Sequence, residues 1–235
     1  MTAIVTDFFS RTLQFFYDLS ASVGIPSYGI AIALFTITLK LILFPLTKKQ
    51  YVGMAKMQEI QPELKKVQTK YKNDPERQQK EMMEVYQKYG VSPFSSCLPL
   101  LIQLPILLAL FRTLQIFFDP KRHPSYVNLD KANFFWIDSL GVPDPIILPI
   151  LVGLGTFVQQ KVTMKAGGVD TSGSGAGAQS QKIMLYFMPL FIGYVSRNFP
   201  SGLALYWVIY SIVGIAEQYF IRKEPRVVKE EAGAK

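Results

Sequence analysis

A long apolar run near the start of the chain, residues 27–46, contains a single charged residue, Lys40. A run of about 20 apolar residues is long enough to cross a bilayer as an α-helix, and this strongly constrains the fold. A charged side chain at that depth costs about 2.5–3.5 kcal/mol on insertion scales, so it is expected to have water, a partner or a function. The alternative is that Lys40 snorkels, carrying its ammonium group to the nearer headgroups.

Four more apolar segments follow the first, and the sequence therefore predicts an all-α membrane protein with five transmembrane helices. Hydrophobic residues make up 49% of the chain, and this composition favours a multi-spanning membrane protein over an ordinary soluble domain. The predicted spans are residues 27–46, 94–118, 146–160, 183–195 and 203–221.

Every second connection between the predicted spans lies on the same side of the membrane, and the basic residues are concentrated in these connections. These segments are residues 47–92, residues 161–182 and the tail, residues 224–235. The intervening loop, residues 119–144, carries few basic residues and several aspartates. The positive-inside rule therefore predicts an outside N-terminus and a cytoplasmic C-terminus. The net charge of +8 suits anionic lipid or RNA-rich partners and is not interpreted as DNA binding.

Residues 1–20 are predicted to form an amphipathic helix in the membrane interface. Apolar residues fall near helical spacing, with charged and polar residues between them. The apolar positions are Phe8, Phe9, Leu13, Phe16 and Leu19. A plain extension of the first span is the alternative. Because acidic residues interrupt the apolar pattern and no basic region precedes it, the segment is not interpreted as a signal peptide.

Residues 47–92 are predicted to form a cytoplasmic helical hairpin. Asp74 and Pro75 supply a helix cap and a first helical position, which starts the return arm. The seam between the arms is thin and rich in methionine: Met54, Met57, Gln61, Leu64, Gln68 and Tyr71 on one arm, Met82, Val85, Tyr86 and Tyr89 on the other. Such a seam can dock apolar segments, with Met54, Met57, Met82 and Tyr86 as candidates, or the hairpin is a structural connector. Residues 161–182 contain a Gly/Ser-rich stretch typical of a flexible linker.

Polar residues within the spans are the candidates for a functional site. Lys40 and Gln103 lie at comparable depth, and Thr36 is one turn from Lys40 on the same helix face. They predict a wet pocket open to the cytoplasm, whereas Gln103 alone could simply bond one helix to another. Trp207 and Tyr210 either line the same groove or belong to an aromatic belt.

Polar residues near the inner ends of the third and fifth spans are interpreted as ordinary helix-end residues. They are Gln159, Gln160, Glu217 and Gln218. The chain has one histidine and one cysteine, and no phosphate-binding, dinucleotide-binding or nucleophile motif. The sequence therefore predicts no enzymatic activity, no cofactor and no metal site.

The sequence resembles the YidC/Oxa/Albino family of membrane protein insertases over roughly residues 20–223. The resemblance lies in the combination of several motifs: Phe44-Pro-Leu-Thr-Lys-Lys-Gln-Tyr51, Met54-Ala-Lys-Met57, Gln61-Pro62, Glu81-Met-Met-Glu-Val-Tyr86, Pro99-Leu-Leu-Ile-Gln-Leu-Pro-Ile106 and Pro200-Ser-Gly-Leu-Ala-Leu-Tyr-Trp207. It implies a five-helix core with a cytoplasmic hairpin and a positively charged groove open to the cytoplasm and to lipid. Lys40 stands where the family usually has arginine, and it keeps the charge but not the bidentate fork.

The resemblance implies a non-enzymatic insertase and chaperone with an insertase core at residues 21–223, in the short form that lacks a large periplasmic domain. Its expected partners are nascent membrane proteins and the lipid bilayer, with the Sec translocon, the ribosome and the signal-recognition machinery as further candidates. The expected location is the bacterial plasma membrane. A small-solute transporter and a passive assembly scaffold are the alternatives, although no internal repeat favours a transporter.

Overall fold

The computed structural model describes residues 2–91, 98–166 and 182–223. Within these residues the regular structure is helical, apart from one isolated β-bridge between Phe134 and Ile137. The α-helices are α1 (Thr2–Ser22), α2 (Tyr28–Lys70), α3 (Pro75–Lys88), α4 (Leu98–Phe117), α5 (Ile147–Ala166), α6 (Met188–Ser196) and α7 (Ser201–Lys223). A π-helical turn, Ile183–Phe187, leads directly into α6. The all-α prediction is confirmed for this part of the chain.

Three of these helices are long and apolar enough to cross a membrane: α2, α5 over Ile147–Lys165, and α7 over Ser201–Ile221. Two shorter apolar helices, Leu104–Phe117 and Ile183–Ser196, fall where the second and fourth spans are predicted. The five-span topology therefore stays a prediction, and so does the flexible linker, of which residues 167–181 lie outside the described residues.

The N-terminal helix α1 packs onto the bundle instead of lying apart from it. Leu13 and Phe16 are buried in the main core, while Phe8 and Leu19 are exposed. A glycine at position 24 ends the helix, where its φ of +85° is accessible without a Cβ penalty. The apolar residues predicted to enter the membrane interface are thus divided between the protein core and the surface, and interfacial placement of α1 remains a prediction.

Helix α2 is continuous through the predicted boundary between the first span and the hairpin. Its 43 residues include Pro45 and Pro62, and correspond to a length of about 65 Å at 1.5 Å per residue. The first span and the first hairpin arm are therefore one helix. The predicted change of environment near Leu46 does not end the helix.

In the region of the predicted hairpin, α3 packs against the C-terminal part of α2. The side chain of Asp74 accepts a hydrogen bond from the backbone N–H of Arg77, and Pro75 occupies the first helical position of α3. A small core joins the arms at Ile60, Leu64 and Val91, with Met57, Met82, Val85 and Tyr86 packed against it. Ile60 is a core residue that the sequence analysis did not include. Nothing is described of the side chain of Met54.

One polar contact across the hairpin predicts a pH dependence. The hydroxyl of Tyr89 donates to Glu63, and the ammonium of Lys88 lies 3.7 Å from the same carboxylate. The Tyr89 hydrogen bond and then the Lys88 charge lower the pKa of Glu63. Because the folded pKa is depressed, this stabilisation is present above the unfolded pKa of about 4.3 and is lost as the pH falls through the folded value.

We expect the amides at the end of α3 to lose protection from hydrogen exchange between pH 6 and pH 3, after correction for intrinsic rates. Glu63→Gln removes the titrating group and should remove most of this pH dependence. An equal loss of protection in the variant would show that another group is responsible.

The main core surrounds the ends of the helices opposite the hairpin. Its buried residues come from α1, α2, α4, α5 and α7 and from the loop of residues 118–146. That loop caps α7, since the carbonyls of Leu140 and Val142 accept hydrogen bonds from the backbone N–H groups of Gly202 and Ser201. The N-terminal end of α7 is therefore fixed by a folded loop.

Candidate functional site

The buried charge of α2 meets α7. Lys40 is 4% exposed, and its ammonium nitrogen Nζ lies 3.0 Å from Oε2 of Glu217, which is 8% exposed. The same nitrogen lies 3.8 Å from the centroid of the Tyr210 ring. An ammonium group over an aromatic face is stabilised by the ring quadrupole. Lys40 therefore does not snorkel in this structure: a carboxylate and a π face hold its charge inside the bundle.

The spacing along α7 explains why these groups converge. Tyr210, Gly214 and Glu217 are separated by four and then three residues, so they lie on one face of the helix. A Cβ atom added at Gly214 would lie 3.2 Å from the Lys40 nitrogen and 2.7 Å from Nε2 of Gln159. Glycine thus leaves room for the lysine and for an amide of α5. The Lys40 pair lies where α2, α5 and α7 meet.

A second row of polar residues on α7 faces α5. The indole N–H of Trp207 donates to the hydroxyl of Thr156 over 3.1 Å, and the amide of Gln218 donates to Thr163. Between them, Ser211 packs against Gly155. We call these α7 residues, their partners on α5 and the Lys40 pair the polar seam. It comprises Lys40, Thr156, Gln159, Thr163, Trp207, Tyr210, Ser211, Glu217 and Gln218.

Three oxygen atoms in the polar seam are buried and have no hydrogen-bond partner among the residues that the structure describes. They are Oγ of Ser211, Oε1 of Glu217 and Oε1 of Gln218. A buried polar atom that lacks a partner costs about 1–3 kcal/mol, so packing for stability alone would not favour three of them at one helix interface. The seam has unused capacity to accept hydrogen bonds.

The structure brings together only part of the predicted groove. Lys40, Tyr210 and Trp207 belong to the polar seam, but Thr36 is fully buried and its hydroxyl donates to the Ile32 carbonyl of its own helix. Gln103 lies in α4, and its side chain is outside the described residues. The equal-depth pairing of Lys40 with Gln103 therefore stays a prediction.

Glu217 was not predicted as a partner of Lys40. Glu217, Gln218 and Gln159 were expected to be helix-end residues, but Glu217 and Gln218 are buried, and α5 continues for seven residues beyond Gln159 to Ala166. One signal was available: Glu217 follows Tyr210 by two helical turns and shares its face. A lone carboxylate on one apolar helix and a lone ammonium on another are natural partners.

An apolar cavity of about 640 Å³ lies between α5 and α6. It is lined by Ile150, Gly153, Phe157, Tyr186 and Arg197, among others, and Lys40 is not part of its lining. The residues of α5 that line it are different from those that contact α7, Gly155, Thr156 and Gln159 among them. The polar seam and this cavity are therefore separate features of the bundle.

The described residues contain no group of three or more histidine, cysteine, aspartate or glutamate side chains that could hold a metal ion. The chemistry of the polar seam is that of hydrogen bonds and a single ion pair. Such an arrangement can bind charged or polar groups and orient them within an otherwise apolar bundle.

Comparison with known proteins assigns the family. A family model described as "60Kd inner membrane protein" matches residues 19–230 of the chain. The chain belongs to the YidC family of membrane proteins. Many curated relatives named "Membrane protein insertase YidC" share 34–40% identity with it over about nine-tenths of its length.

The relatives of this family differ in length. The protein of Wolinella succinogenes is 40% identical over 211 residues, which cover 89% of this chain and 36% of that protein. The protein of Geobacter sulfurreducens is 35% identical over 214 residues, covering 91% of this chain and 36% of that protein. The protein of Clostridium perfringens is 38% identical over 222 residues, covering 92% of this chain and 89% of that protein. The chain thus spans about a third of the first two relatives and most of the third.

Proposed function

We propose that the protein is a membrane protein insertase and chaperone that receives nascent membrane proteins at the polar seam. The observation that carries this proposal is the buried Lys40–Glu217 pair among partly unsatisfied polar groups, inside a bundle of apolar helices. A site of this kind suits a transient polar ligand better than a permanent helix contact. The name "membrane protein insertase" that the relatives carry supports the same activity.

In the proposed mechanism, a hydrophilic tail of the incoming chain enters a groove that contains Lys40, Tyr210 and Trp207, with Thr36 and Gln103 as further lining residues. The ammonium of Lys40 attracts acidic groups, and the hydroxyl and amide groups replace water contacts of the tail. The apolar segment that follows then moves sideways into lipid. Its burial is favourable by about 0.8 kcal/mol per CH₂ group, which supplies the driving force.

The hairpin supplies a proposed docking surface at the cytoplasmic side. Met57, Met82 and Tyr86 pack against its small core, and flexible methionine side chains adapt to different apolar partners. Met54 belongs to the same proposed surface by its position in α2. The proposal includes an outside N-terminus and a cytoplasmic C-terminus in a bacterial plasma membrane. The ribosome, the signal-recognition machinery and the Sec translocon are its candidate partners, and no cofactor is required.

Photocrosslinking tests whether a nascent chain reaches the polar seam. The crosslinker p-benzoylphenylalanine replaces Tyr210, and the nascent chain is stalled before its apolar segment has left the ribosome. We expect a covalent adduct with the hydrophilic tail, because Tyr210 lies beside Lys40. The matched control carries the same crosslinker in place of Tyr219, an exposed tyrosine on the same helix, and should give little adduct.

Absence of an adduct from position 210, or equal adducts from positions 210 and 219, would contradict entry through the seam. A transporter would give no adduct from either position. A passive scaffold would give adducts only after the apolar segment has emerged.

A further inference from the structure

We infer that Glu217 is the residue that sets the charge preference of the polar seam, by competing with incoming carboxylates for Lys40. This inference rests on the proposed insertase function and concerns the substrates that the same site accepts. At rest the ammonium of Lys40 already has a carboxylate partner at 3.0 Å, so the site is electrically neutral. The sequence alone predicted an unpartnered positive charge, which would attract any acidic tail.

The geometry of the pair suits exchange. The ammonium group of Lys40 has three N–H donors, and within the described residues its hydrogen-bonded partner is one oxygen of Glu217. The ring face of Tyr210 lies at 3.8 Å and accepts no full hydrogen bond. Donors of the Lys40 ammonium therefore remain for a second carboxylate while Glu217 is still bound. A lysine, as a point charge with rotatable donors, allows such a shared state more readily than the fixed fork of an arginine.

The surroundings of Glu217 also indicate that it competes with substrate carboxylates and does not serve only to join α2 to α7. Its second oxygen, Oε1, is buried and accepts no hydrogen bond from the described part of the chain. A carboxylate used only to join α2 to α7 is expected to have both oxygens satisfied, because a buried ion pair repays its desolvation only with good geometry and further hydrogen bonds. Within the described residues the hydrogen bond to Glu217 comes from Lys40, and a ligand that shares Lys40 weakens that bond.

Competition with Glu217 sets a minimum affinity for Lys40 that an incoming tail must exceed. A neutral tail gains nothing by displacing Glu217, and an acidic tail must outcompete a carboxylate that is already in place. Removing the Glu217 charge changes the net charge of the Lys40 site from zero to +1. Acidic tails should then gain, neutral tails should change little, and basic tails should lose through repulsion by Lys40.

The test uses the full-length protein reconstituted in vesicles, with three substrates whose translocated tails are identical except for two positions that carry Asp, Asn or Lys. For Glu217→Gln, we expect the ratio of acidic to neutral tail insertion to rise about tenfold over the wild type, and insertion of the basic tail to fall. Asp130→Asn is the matched control, since it removes an exposed carboxylate on a distant loop and should leave the ratio unchanged. The double variant Lys40→Gln/Glu217→Gln should give a ratio near one.

A purely structural role for Glu217 gives a different result. Glu217→Gln would then reduce insertion of all three tails by the same factor, and this outcome would overturn the inference. If Glu217→Gln is too unstable to purify, Glu217→Asp withdraws the carboxylate by one methylene and should give a smaller rise in the ratio; an unchanged ratio would also overturn the inference. Failure of the wild type to insert any tail would instead contradict the proposed function.

Discussion

Lys40→Ala is expected to lower the free energy of unfolding by about 3–5 kcal/mol, because it leaves Glu217 buried without a counter-ion. Both members of the pair are more than nine-tenths buried, so solvent provides little screening. Glu217→Ala should be destabilising for the same reason, with Lys40 as the stranded charge. Thermal unfolding of the detergent-solubilised protein, followed by tryptophan fluorescence, measures the loss.

The double variant Lys40→Leu/Glu217→Leu is the decisive control. Replacing a buried ion pair with apolar residues of similar size is often neutral or stabilising, so the double variant should unfold near the wild-type temperature. Lys40→Arg keeps the pair and should also retain most of the stability. A double variant as unstable as Lys40→Ala would show that packing around the site, and not charge compensation, determines the loss.

The expected destabilisation by Lys40→Ala affects the interpretation of insertion assays. Loss of insertion in Lys40→Ala cannot be assigned to the missing attraction for substrate while the same change destabilises the helix junction. The double leucine variant separates the two effects, since it should fold without a charge in the seam. Under the proposed function it should insert acidic tails poorly although it is stable.

Gly193→Leu is expected to lower the free energy of unfolding by at least about 1–3 kcal/mol. A Cβ at Gly193 would lie 3.0 Å from the carbonyl oxygen of Pro149 and 3.3 Å from Cα of Gly153. Both neighbours are backbone atoms, which cannot rotate away as a side chain can. Helices α5 and α6 would have to separate, as expected where small residues allow backbones to approach closely in a membrane bundle.

The control for this change is Tyr194→Leu on the next residue of α6, where the side chain is 67% exposed. It introduces the same leucine on the outer face and should leave the melting temperature nearly unchanged. Comparison of detergent-solubilised yield and melting temperature for the two variants checks the expectation. Equal losses would mean that leucine in α6, and not the glycine contact, is responsible.

Local features of the fold could be predicted from the sequence because their physical causes are local. The Asp74 cap and Pro75 start of α3 depend on residues within one turn of each other, and the structure confirms them. The apolar segments at α2, α5 and α7 were visible because a helix that crosses a bilayer needs a continuous apolar run. The continuity of α2 from Tyr28 to Lys70 was missed, since the change from apolar to charged residues near Thr47 alters the surroundings of a helix and need not end it.

The candidate site depended on contacts between distant parts of the chain. The position of Lys40 in an apolar helix was a strong signal of an unusual group, because charge at that depth is costly. Its partner, Glu217, is 177 residues away in sequence, and its spacing from Tyr210 gave only the face on which it lies. Thr36 shares a face with Lys40, yet its hydroxyl bonds to its own helix, which spacing alone does not reveal.

Residue types and their spacing were enough to predict a helical protein with membrane-length apolar segments, a capped hairpin, a family resemblance and an exceptional Lys40. Each of these depends on residue types at short spacing, or on a combination of short motifs. Contacts between helices were needed to show that Glu217 balances the Lys40 charge, which lies over the ring of Tyr210, and that glycines set the approach of α5 and α6. The physical reason is that charge compensation and close packing depend on the distance between helices, which hydropathy and helical period leave undetermined.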